Sequence, residues 1–407
     1  MFYTMVWDCE MSERLELLMN VAISTEQAQR FLIRRQNFVA YGSPFAGREG
    51  VAHALQQMEA VQIDPLCPFE RNHHQALYNR VHGYRPEWLD QLLYQDNRAF
   101  EYYCNALCVL PMEDYPYFKC AMQQQQVVLA PRVNTDMQEA MQQVMQHIAQ
   151  QGATSSQEFD SGKKISGWWD NELAARTKIE KQALDYLHLT GKLLISSRTG
   201  NQRSYDLPER LVPPALFEQV IDQAAWQRFA MLKFLRAYGL SQLGLFRFGW
   251  HNAPKAERKQ LLANLVEQDE VARVSIEGVK RTYYCLAADL PELLQATPLS
   301  QSEVAVILGP LDNLLWDRDR LEDFWGFNYR WEVYTPASKR QYGYYVVPVL
   351  YGEWFVGRIE MRADKEQGVL RVDNLWLEPG HDAALPALRR AVELEAQYLG
   401  LTRTFGI

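Results

Sequence analysis

An amide and a carboxylate stand two residues apart at Gln62 and Asp64, and this pair is the chain's clearest candidate for chemistry. Residues 61–66 are expected to be extended, and side chains along a strand alternate between two faces. We therefore expect Gln62 and Asp64 to share one face. A carboxylate beside an amide can hold a water molecule and stabilise a developing positive charge. The spacing alone leaves open an edge strand that ends at Pro65 with two solvated side chains.

Length and charge limit the classes of protein that the chain can be. At 407 residues it is too long for one core, and roughly 100–200 residues per domain gives two to four domains. The hydrophobic fraction of 47% and the charged fraction of 23% are those of an ordinary globular protein. The net charge of −8 argues against coating nucleic acid by bulk electrostatics, so any DNA contact must come from a local basic face.

The six cysteines show no CxxC and no framework spacing, which predicts reduced thiols in a cytoplasmic protein. Cys104 and Cys108 are best explained by core packing, because no further ligand stands at metal-binding spacing. The longest apolar stretch, residues 342–356, contains Pro348 and Glu353, so no membrane span is expected. Met11 could equally be the true start.

The first predicted domain, residues 1–148, alternates short helices with one strand. Ser24 or Thr25 can cap a helix, and amide and acidic residues follow in its first turn. Further helices are expected at residues 48–60, 73–81 and 87–94. This pattern is typical of a helix-turn-helix domain with strands appended, so we interpret it as winged-helix-like. A glutamine-rich helix at 138–151 and a polar linker at 152–162 follow.

The second predicted domain, residues 153–212, is a winged helix. The pattern indicates helices at 171–177 and 178–190, with Gly191 as the stop of the second. Strands at 192–197 and 204–207 flank a polar turn, and two helices followed by a hairpin define the motif. Between residues 161 and 210 there are nine Lys and Arg against six Asp and Glu, a local basic excess. For any single lysine, an ordinary solvated helix face stays an open alternative.

The third predicted domain, residues 213–292, repeats this scheme with helices at 224–238 and 255–268 and a hairpin at 271–285. The last, residues 295–407, changes character. Its short segments rich in Val, Tyr, Phe and Trp predict a small antiparallel sheet or barrel, covered by a helix at 385–399. The predicted fold class is α+β, with tandem winged-helix domains followed by a small C-terminal antiparallel β-barrel or sheet domain.

Several motifs together carry a resemblance to a known family. They lie at residues 62–65, 73–74, 78–81, 100–103, 110–114, 309–320, 329–336 and 339–345. In these motifs the chain resembles the bacterial DNA glycosylases of the YcaQ/AlkZ type, which excise N7-alkylguanine and unhook interstrand crosslinks. The pairing of Gln62 with Asp64 is similar to the YcaQ branch, whereas the AlkZ branch has two glutamines.

The resemblance implies tandem winged helices and a C-terminal barrel that form a C-shaped cradle for double-stranded DNA. It also implies a monofunctional base-excision-repair enzyme with no lysine nucleophile, no metal and no cofactor. We expect a monomer that works in the cytoplasm at the nucleoid. The chain departs from the pattern at Asn105, near which relatives often have histidine, and we assign Asn105 no role.

The chemistry that the resemblance implies suits the Gln62 and Asp64 pair. Alkylation at N7 places a positive charge on guanine and weakens its bond to the sugar, so the barrier is dominated by oxocarbenium character. Asp64 would stabilise that cation and accept a proton from water, while Gln62 would align the water. Because a crosslinked guanine cannot flip out freely, we expect an open site rather than a closed slot.

Further residues are candidate contacts to DNA. His73 and His74 begin the helix after the triplet and could touch the substrate, although such histidines often pack or cap instead. Arg80 could reach a phosphate or pair with Asp96 or Glu101. The second winged helix supplies candidate phosphate contacts, which would give affinity without sequence preference, at Lys178, Lys181, Arg198 and Arg203.

Two alternatives stay open at the level of sequence. A winged-helix transcriptional regulator without catalytic activity explains the tandem modules equally well, but gives no reason for Gln62 and Asp64 to share a face. A hydrolase of a small nucleoside or sugar would use the same carboxylate and leave the basic modules without a role.

Overall fold

The computed structural model describes residues 20–104, 106–166, 176–242, 254–300 and 302–407. Met11, Asn105 and most of the expected helix at 171–177 lie outside these residues. The α-helices are α1 (Thr25–Arg35), α2 (Gly47–Met58), α3 (Asn72–Tyr78), α4 (Pro86–Tyr94), α5 (Tyr115–Leu129), α6 (Thr135–Gln151), α7 (Ile179–Leu189), α8 (Pro208–Leu211), α9 (Pro214–Phe217), α10 (Gln223–Tyr238), α11 (Lys255–Glu267), α12 (Leu290–Leu294), α13 (Arg318–Trp325) and α14 (Leu385–Tyr398).

Short strands alternate with these helices, so the predicted α+β class is confirmed. The strands are β1 (Asn20–Ile23), β2 (Val61–Gln62), β3 (Ala99–Tyr103), β4 (Leu107–Pro111), β5 (Thr154–Ser155), β6 (Lys164–Ser166), β7 (Arg176–Lys178), β8 (Leu194–Thr199), β9 (Gln202–Asp206), β10 (Val271–Ile276), β11 (Tyr283–Leu286), β12 (Val306–Ile307), β13 (Val346–Tyr351), β14 (Trp354–Asp364), β15 (Val369–Leu377) and β16 (Arg403–Phe405).

The described residues form two compact units. The first contains residues 20–85, 231–242 and 254–407, and the second contains the described part of residues 86–230. The four-domain division made from the sequence stays a prediction. Among the described residues, no helix is both long and apolar enough to cross a bilayer.

In the first unit, the described residues begin with a strand that the sequence pattern missed. β1 pairs in parallel with β10, and the predicted hairpin is present as β10 and β11. α1 follows with the expected cap: the Ser24 side chain accepts the Gln27 N–H, and the Gln27 side chain accepts the Ser24 N–H. These elements enclose a core that includes Phe31, Val274 and Tyr283.

The C-terminal part of the first unit is a curled five-stranded sheet in the order β12-β13-β14-β15-β16. The first three pairings are antiparallel as predicted, but β16 adds to the edge in parallel. β15 contains a bulge, because Asp373 has no partner between Val372 and Asn374 in its pairing with β14. α14 covers the sheet, and its Leu388 and Val392 are fully buried in the shared core.

In the second unit the predicted helix at 178–190 is present as α7, but residues 176–178, where the expected helix at 171–177 ends, form β7, and the helix that packs on α7 is α6, which precedes the predicted winged-helix domain. α6 and α7 pack together, and β8 and β9 form the hairpin around a core that includes Val144, Leu184 and Ile195. The segment expected to be a polar linker holds β5 instead. Thr154 and Ser155 are buried there and pair with β9, which explains why a polar stretch is ordered.

Candidate functional site

The Gln62–Asp64 triplet is held by the first turn of α3. Gln62 ends β2 and is half-buried, and its carbonyl accepts a hydrogen bond from the Asn72 Nδ2 at 2.9 Å. The Asn72 Oδ1 accepts the backbone N–H of Leu311 at 2.9 Å. A Cβ at Gly309 would lie 2.5 Å from the same oxygen, so only glycine allows this approach. One buried amide thus joins the triplet to the motif at 309–313.

Two further residues of that motif fix the surroundings of the triplet. Asn313 Nδ2 donates to the carbonyls of Met58 (2.9 Å) and Ala60 (3.1 Å), which lie just before β2. Asp312 binds Arg80, which follows α3. The motif therefore forms hydrogen bonds to the segments before and after the candidate acid. This accounts in physical terms for two motifs that lie nearly 250 residues apart in the chain.

Asp64 is set by a local turn and lies in a largely dehydrated position. Its Oδ1 accepts the backbone N–H of Leu66 at 2.8 Å, and the residue is 7% exposed. Among the described residues, no group donates a hydrogen bond to Oδ2 and no cation pairs with the carboxylate. Oδ2 is nevertheless not fully buried, so solvent can reach it. Burial raises the pKa of Asp64, and the Leu66 N–H opposes that shift. Such a carboxylate keeps its charge unneutralised by protein and retains access to water.

From the sequence we expected Gln62 and Asp64 to share a face because both would lie in one strand, and the structure does not support that reason. The strand ends at Gln62, two residues before Asp64, so strand alternation does not cover both side chains. The turn at Leu66 sets the direction of Asp64 instead. The Gln62 side chain makes no hydrogen bond to another described residue, so its amide is available to a water or a substrate.

Tyr345 packs in the same cluster as Leu66, the residue that holds the candidate acid, and sequence reasoning did not assign it a role. Its ring meets Phe69 (6.1 Å between centroids) and Trp331 (5.8 Å) edge-on and is buried. Burial raises the pKa of Tyr345, and the charge of Asp64 adds to the shift. Within the described chain its hydroxyl has no hydrogen-bond partner. The signal that could have found it is its place at the end of the matched motif 339–345.

The two histidines of α3 lie together, with ring centroids 4.3 Å apart. The Nδ1 of His74 lies 2.8 Å from the Tyr84 hydroxyl, and burial lowers the pKa of His74 to about 4. His74 is therefore neutral near pH 7. It can offer a hydrogen bond or a stacking surface to a substrate, but not a positive charge to a phosphate.

Arg80 corrects an expectation, because its position excludes the phosphate contact. The side chain is buried, and its guanidinium donates to both carboxylate oxygens of Asp312 (2.7 and 2.9 Å). It also donates to Gln36 (2.6 Å) and to the carbonyl of Ala76 (2.9 Å). Arg80 therefore pairs with neither Asp96 nor Glu101, and its role is to hold α3 against the motif at 309–313.

The basic residues predicted in the second unit divide into two groups. Arg198 is committed internally, because it binds Glu101 with both arms of the guanidinium, including Nε to Oε1 at 2.7 Å. Lys178 donates to the carbonyl of Phe159 at 3.1 Å and lies 3.6 Å from Asp160. Neither arrangement was expected from sequence, and each reduces the charge offered to solvent.

Lys181 and Arg203 are placed differently, because both line one cavity of about 480 Å³ beside α7 and the β8–β9 hairpin. Lys181 is exposed on α7, and Arg203 lies 3.8 Å from Asp185. The remaining lining is largely polar and includes Gln157 and Asn201. Of the four basic residues singled out here, this pair is the best placed to meet an anion.

No group of three or more His, Cys, Asp or Glu side chains within the described ranges is arranged to hold a metal ion.

Helices paired with β-hairpins, a curled C-terminal sheet and a carboxylate that no described cation neutralises are compatible with an enzyme that acts on DNA. Comparison with known proteins then identifies the family. The family model described as DNA glycosylase AlkZ-like matches residues 55–401, so the chain belongs to the AlkZ-like DNA glycosylase family. It is accordingly a DNA glycosylase, a DNA-repair enzyme, and the transcriptional-regulator alternative is not favoured.

The fold agrees with that of a solved member of the family. The structure of the Streptomyces sahachiroi DNA glycosylase AlkZ superposes with a TM-score of 0.61 at 16% sequence identity. The match covers 95% of this chain and 100% of that chain. At this identity the likeness concerns the fold and carries no statement about individual residues.

Proposed function

We propose that this glycosylase hydrolyses the N-glycosidic bond of N7-alkylated guanine in double-stranded DNA, including guanines held in interstrand crosslinks. We assign it to the YcaQ branch on the basis of Gln62 and Asp64, and we expect it to act as a monomer. The observation that carries the proposal is the Asp64 carboxylate, which is largely buried, oriented by Leu66 and paired with no cation of the described chain.

Asp64 would act on the sugar rather than on the base. N7 alkylation already supplies the positive charge that makes guanine a good leaving group, so little proton donation is needed. The developing oxocarbenium ion needs a fixed negative charge in a site of low dielectric, and such preorganised groups are worth about 2.7–4 kcal/mol, or roughly 10²–10³ in rate. A raised pKa also makes Asp64 a better acceptor for the proton that water loses.

Gln62 and the histidine pair would complete the site. The Gln62 amide can accept a hydrogen bond from water and donate one to Asp64 or to the sugar, which suits a residue that aligns the nucleophile. His73 and His74 would contact the substrate, His74 as a neutral ring. Tyr84 holds His74 through its hydroxyl, so that ring presents a fixed orientation.

DNA affinity would come from cations that reach the phosphate backbone. Lys181 and Arg203 are the best-placed candidates, and Lys178 can join them if it exchanges Asp160 for a phosphate. Arg198 would support this surface indirectly through Glu101. Phosphate contacts of this kind read no sequence, as a lesion-directed enzyme requires.

The enzyme could cleave crosslinked nucleotides if Asp64 acts on the sugar without the base being enclosed in a pocket. The enzyme must reach a sugar whose guanine stays tethered to the opposite strand, so complete base flipping cannot be part of the reaction. The unsealed Oδ2 of Asp64 is consistent with this requirement.

The proposal is tested by product analysis on two duplexes, one with a single N7-methylguanine and one with a nitrogen-mustard guanine–guanine crosslink. We expect release of free N7-methylguanine with an alkali-labile site from the first, and strand separation of the second. Gln62→Ala should slow both, whereas Asp382→Asn, at an exposed acid, should leave both unchanged. Wild-type protein that releases no base from either duplex would refute the substrate assignment.

A further inference from the structure

The segment between α13 and β13 forms an ordered surface loop that the reaction does not use. We name residues 330–344 the Tyr334 loop. Tyr334 is 84% exposed and Tyr344 is 42% exposed, an unusual state for large aromatic side chains, and Arg330 and Lys339 are exposed with them. Exposed aromatic rings interleaved with cations are the composition of a surface that binds nucleic acid.

The loop's only acidic residue does not dilute this positive surface. Glu332 is buried, and its carboxylate accepts the backbone N–H groups of Gln341 (2.8 Å), Tyr342 (2.8 Å) and Gly343 (3.3 Å). The Glu332 carboxylate is therefore bound by the loop's own backbone and is not presented to solvent. The charged side chains that remain exposed are cationic, on a chain whose net charge is −8.

Several contacts hold the loop in one shape. Arg340 donates its Nε to the Thr335 carbonyl at 2.9 Å and lies 5.0 Å from the centre of the Tyr344 ring. At the other end, Tyr344 N–H donates to the Glu360 carboxylate at 3.0 Å. A Cβ at Gly343 would lie 2.6 Å from that carboxylate, so a larger residue there would force the Glu360 side chain to move. A preorganised loop loses little conformational freedom when it binds a partner.

The position of the loop links it to the candidate acid through adjoining rings. Trp331 meets Tyr334 on one side and Tyr345 on the other, each with ring centroids 5.8 Å apart. Tyr345 in turn packs in the same cluster as Leu66, whose backbone N–H holds Asp64. Tyr334 therefore stands two ring contacts from Tyr345.

We propose that the Tyr334 loop binds the DNA next to the damaged nucleotide, with Tyr334 stacked on a base and Arg330 and Lys339 against flanking phosphates. This inference rests on the proposed function in taking duplex DNA as the partner at Asp64. Stacking tolerates any base, because every base has a π face, and therefore suits an enzyme that must work in any sequence context. A ring stacked next to the lesion would also replace stacking between bases that alkylation weakens.

The test is equilibrium binding of the full chain to a fluorescein-labelled duplex that carries one tetrahydrofuran abasic analogue, with the intact duplex beside it. Tyr334→Ala should raise the Kd for the abasic duplex by roughly 5- to 100-fold, the range expected for losing one base stack. Tyr334→Phe should stay within about twofold, because it keeps the ring. Phe405→Ala is the matched control, since Phe405 is 64% exposed on β16, outside the loop.

A second readout separates the cations from the ring. Removing Arg330 and Lys339 together should reduce the slope of log Kd against log salt by about 1.8, whereas Tyr334→Ala should leave that slope unchanged. The inference is overturned if Tyr334→Ala binds both duplexes like wild type, or if Phe405→Ala loses as much affinity. Binding needs no excision, so an inactive wild type would refute the proposed substrate and still leave this result interpretable.

Discussion

The Oδ1 of Asp64 lies 2.8 Å from the backbone nitrogen of Leu66 and accepts its hydrogen bond. Asp64 thus has two separable properties, a hydrogen bond that shapes the backbone and a charge that no cation of the described chain neutralises. Asparagine can keep the first and lacks the second. The pair therefore allows the chemistry of Asp64 to be tested without disturbing its geometry.

We expect Asp64→Asn to unfold within about 0.5 kcal/mol of wild type, because its amide oxygen can accept the same N–H. Asp64→Ala should lose roughly 1 kcal/mol, the usual worth of such a hydrogen bond. Urea denaturation followed by circular dichroism measures both. If Asp64→Asn were several kcal/mol less stable than wild type, the carboxylate would be structural, and its effect on rate would say nothing about catalysis.

The rate of base release should depend on pH through the carboxylate of Asp64. Burial raises the pKa of this group above its usual 3.8, and the ionised form is the active one. Activity should therefore fall as pH decreases, with a midpoint above that of an exposed aspartate. Single-turnover rates on N7-methylguanine duplex between pH 4 and 8 measure the midpoint. A flat profile over this range would contradict the assignment.

The ion pair between Arg80 and Asp312 should matter for stability rather than for DNA binding. Both partners are buried, so Arg80→Ala leaves an uncompensated carboxylate and should cost about 3–5 kcal/mol of unfolding free energy. Arg362→Ala breaks an exposed pair with Asp373 and should cost no more than about 1 kcal/mol. Denaturant titrations of the two variants provide the comparison. Weaker DNA binding by Arg80→Ala at unchanged stability would instead support the predicted contact between Arg80 and a DNA phosphate.

Stability should also depend on pH through Glu395, which is buried on α14 and accepts a hydrogen bond from Gln75. Burial raises the pKa of Glu395 to about 8, and the charge of Glu70 adds to the shift. The folded state therefore holds this proton more tightly than the unfolded state does. The stabilisation is present below pH 4.5 and is lost as pH rises towards 8, by up to about 1.4 kcal/mol per pH unit.

Glu395→Gln should remove this part of the pH dependence, because the amide does not titrate. The difference in unfolding free energy between wild type and variant, measured from pH 5 to 8, isolates the contribution of Glu395 from that of other groups. Parallel curves for the two proteins would show that Glu395 does not carry the shift.

Lys181 and Arg198 should separate affinity from structure within the second unit. Lys181→Ala should weaken DNA binding and lower the salt slope by about 0.9, because an exposed cation is lost. Arg198→Ala should instead destabilise the fold, since Glu101 would stay buried without its partner. Fluorescence anisotropy against salt and thermal unfolding distinguish the two. Equal effects of both variants on the salt slope would contradict this division.

Local signals explain what could be predicted from the sequence. Ser24 and Gln27 specify the start of α1 through their capping pattern, and Gly191 lies just after α7, at φ +70°, where the sequence placed a helix stop. Alternating apolar residues gave the hairpins of both winged-helix patterns. These features depend on neighbours within a few residues, so one sequence is enough to find them.

The features that were missed depend on partners far along the chain. β1 is a four-residue strand whose parallel partner, β10, lies about 250 residues later, and short strands without alternation carry little signal. From the sequence, Arg80 could equally be a phosphate ligand or one partner of an ion pair. Only the fold places Asp312 beside it. Tyr345 reads as a core residue, and its packing in one cluster with Leu66 arises in three dimensions.

The most direct test is the single-turnover rate of N7-methylguanine release by Asp64→Asn at pH 7, relative to wild type and to Asp382→Asn. We predict at least a roughly hundredfold loss for Asp64→Asn, the usual cost of one preorganised electrostatic group, and no change for Asp382→Asn. A rate for Asp64→Asn within about threefold of wild type would contradict the claim that the charge of Asp64 drives cleavage.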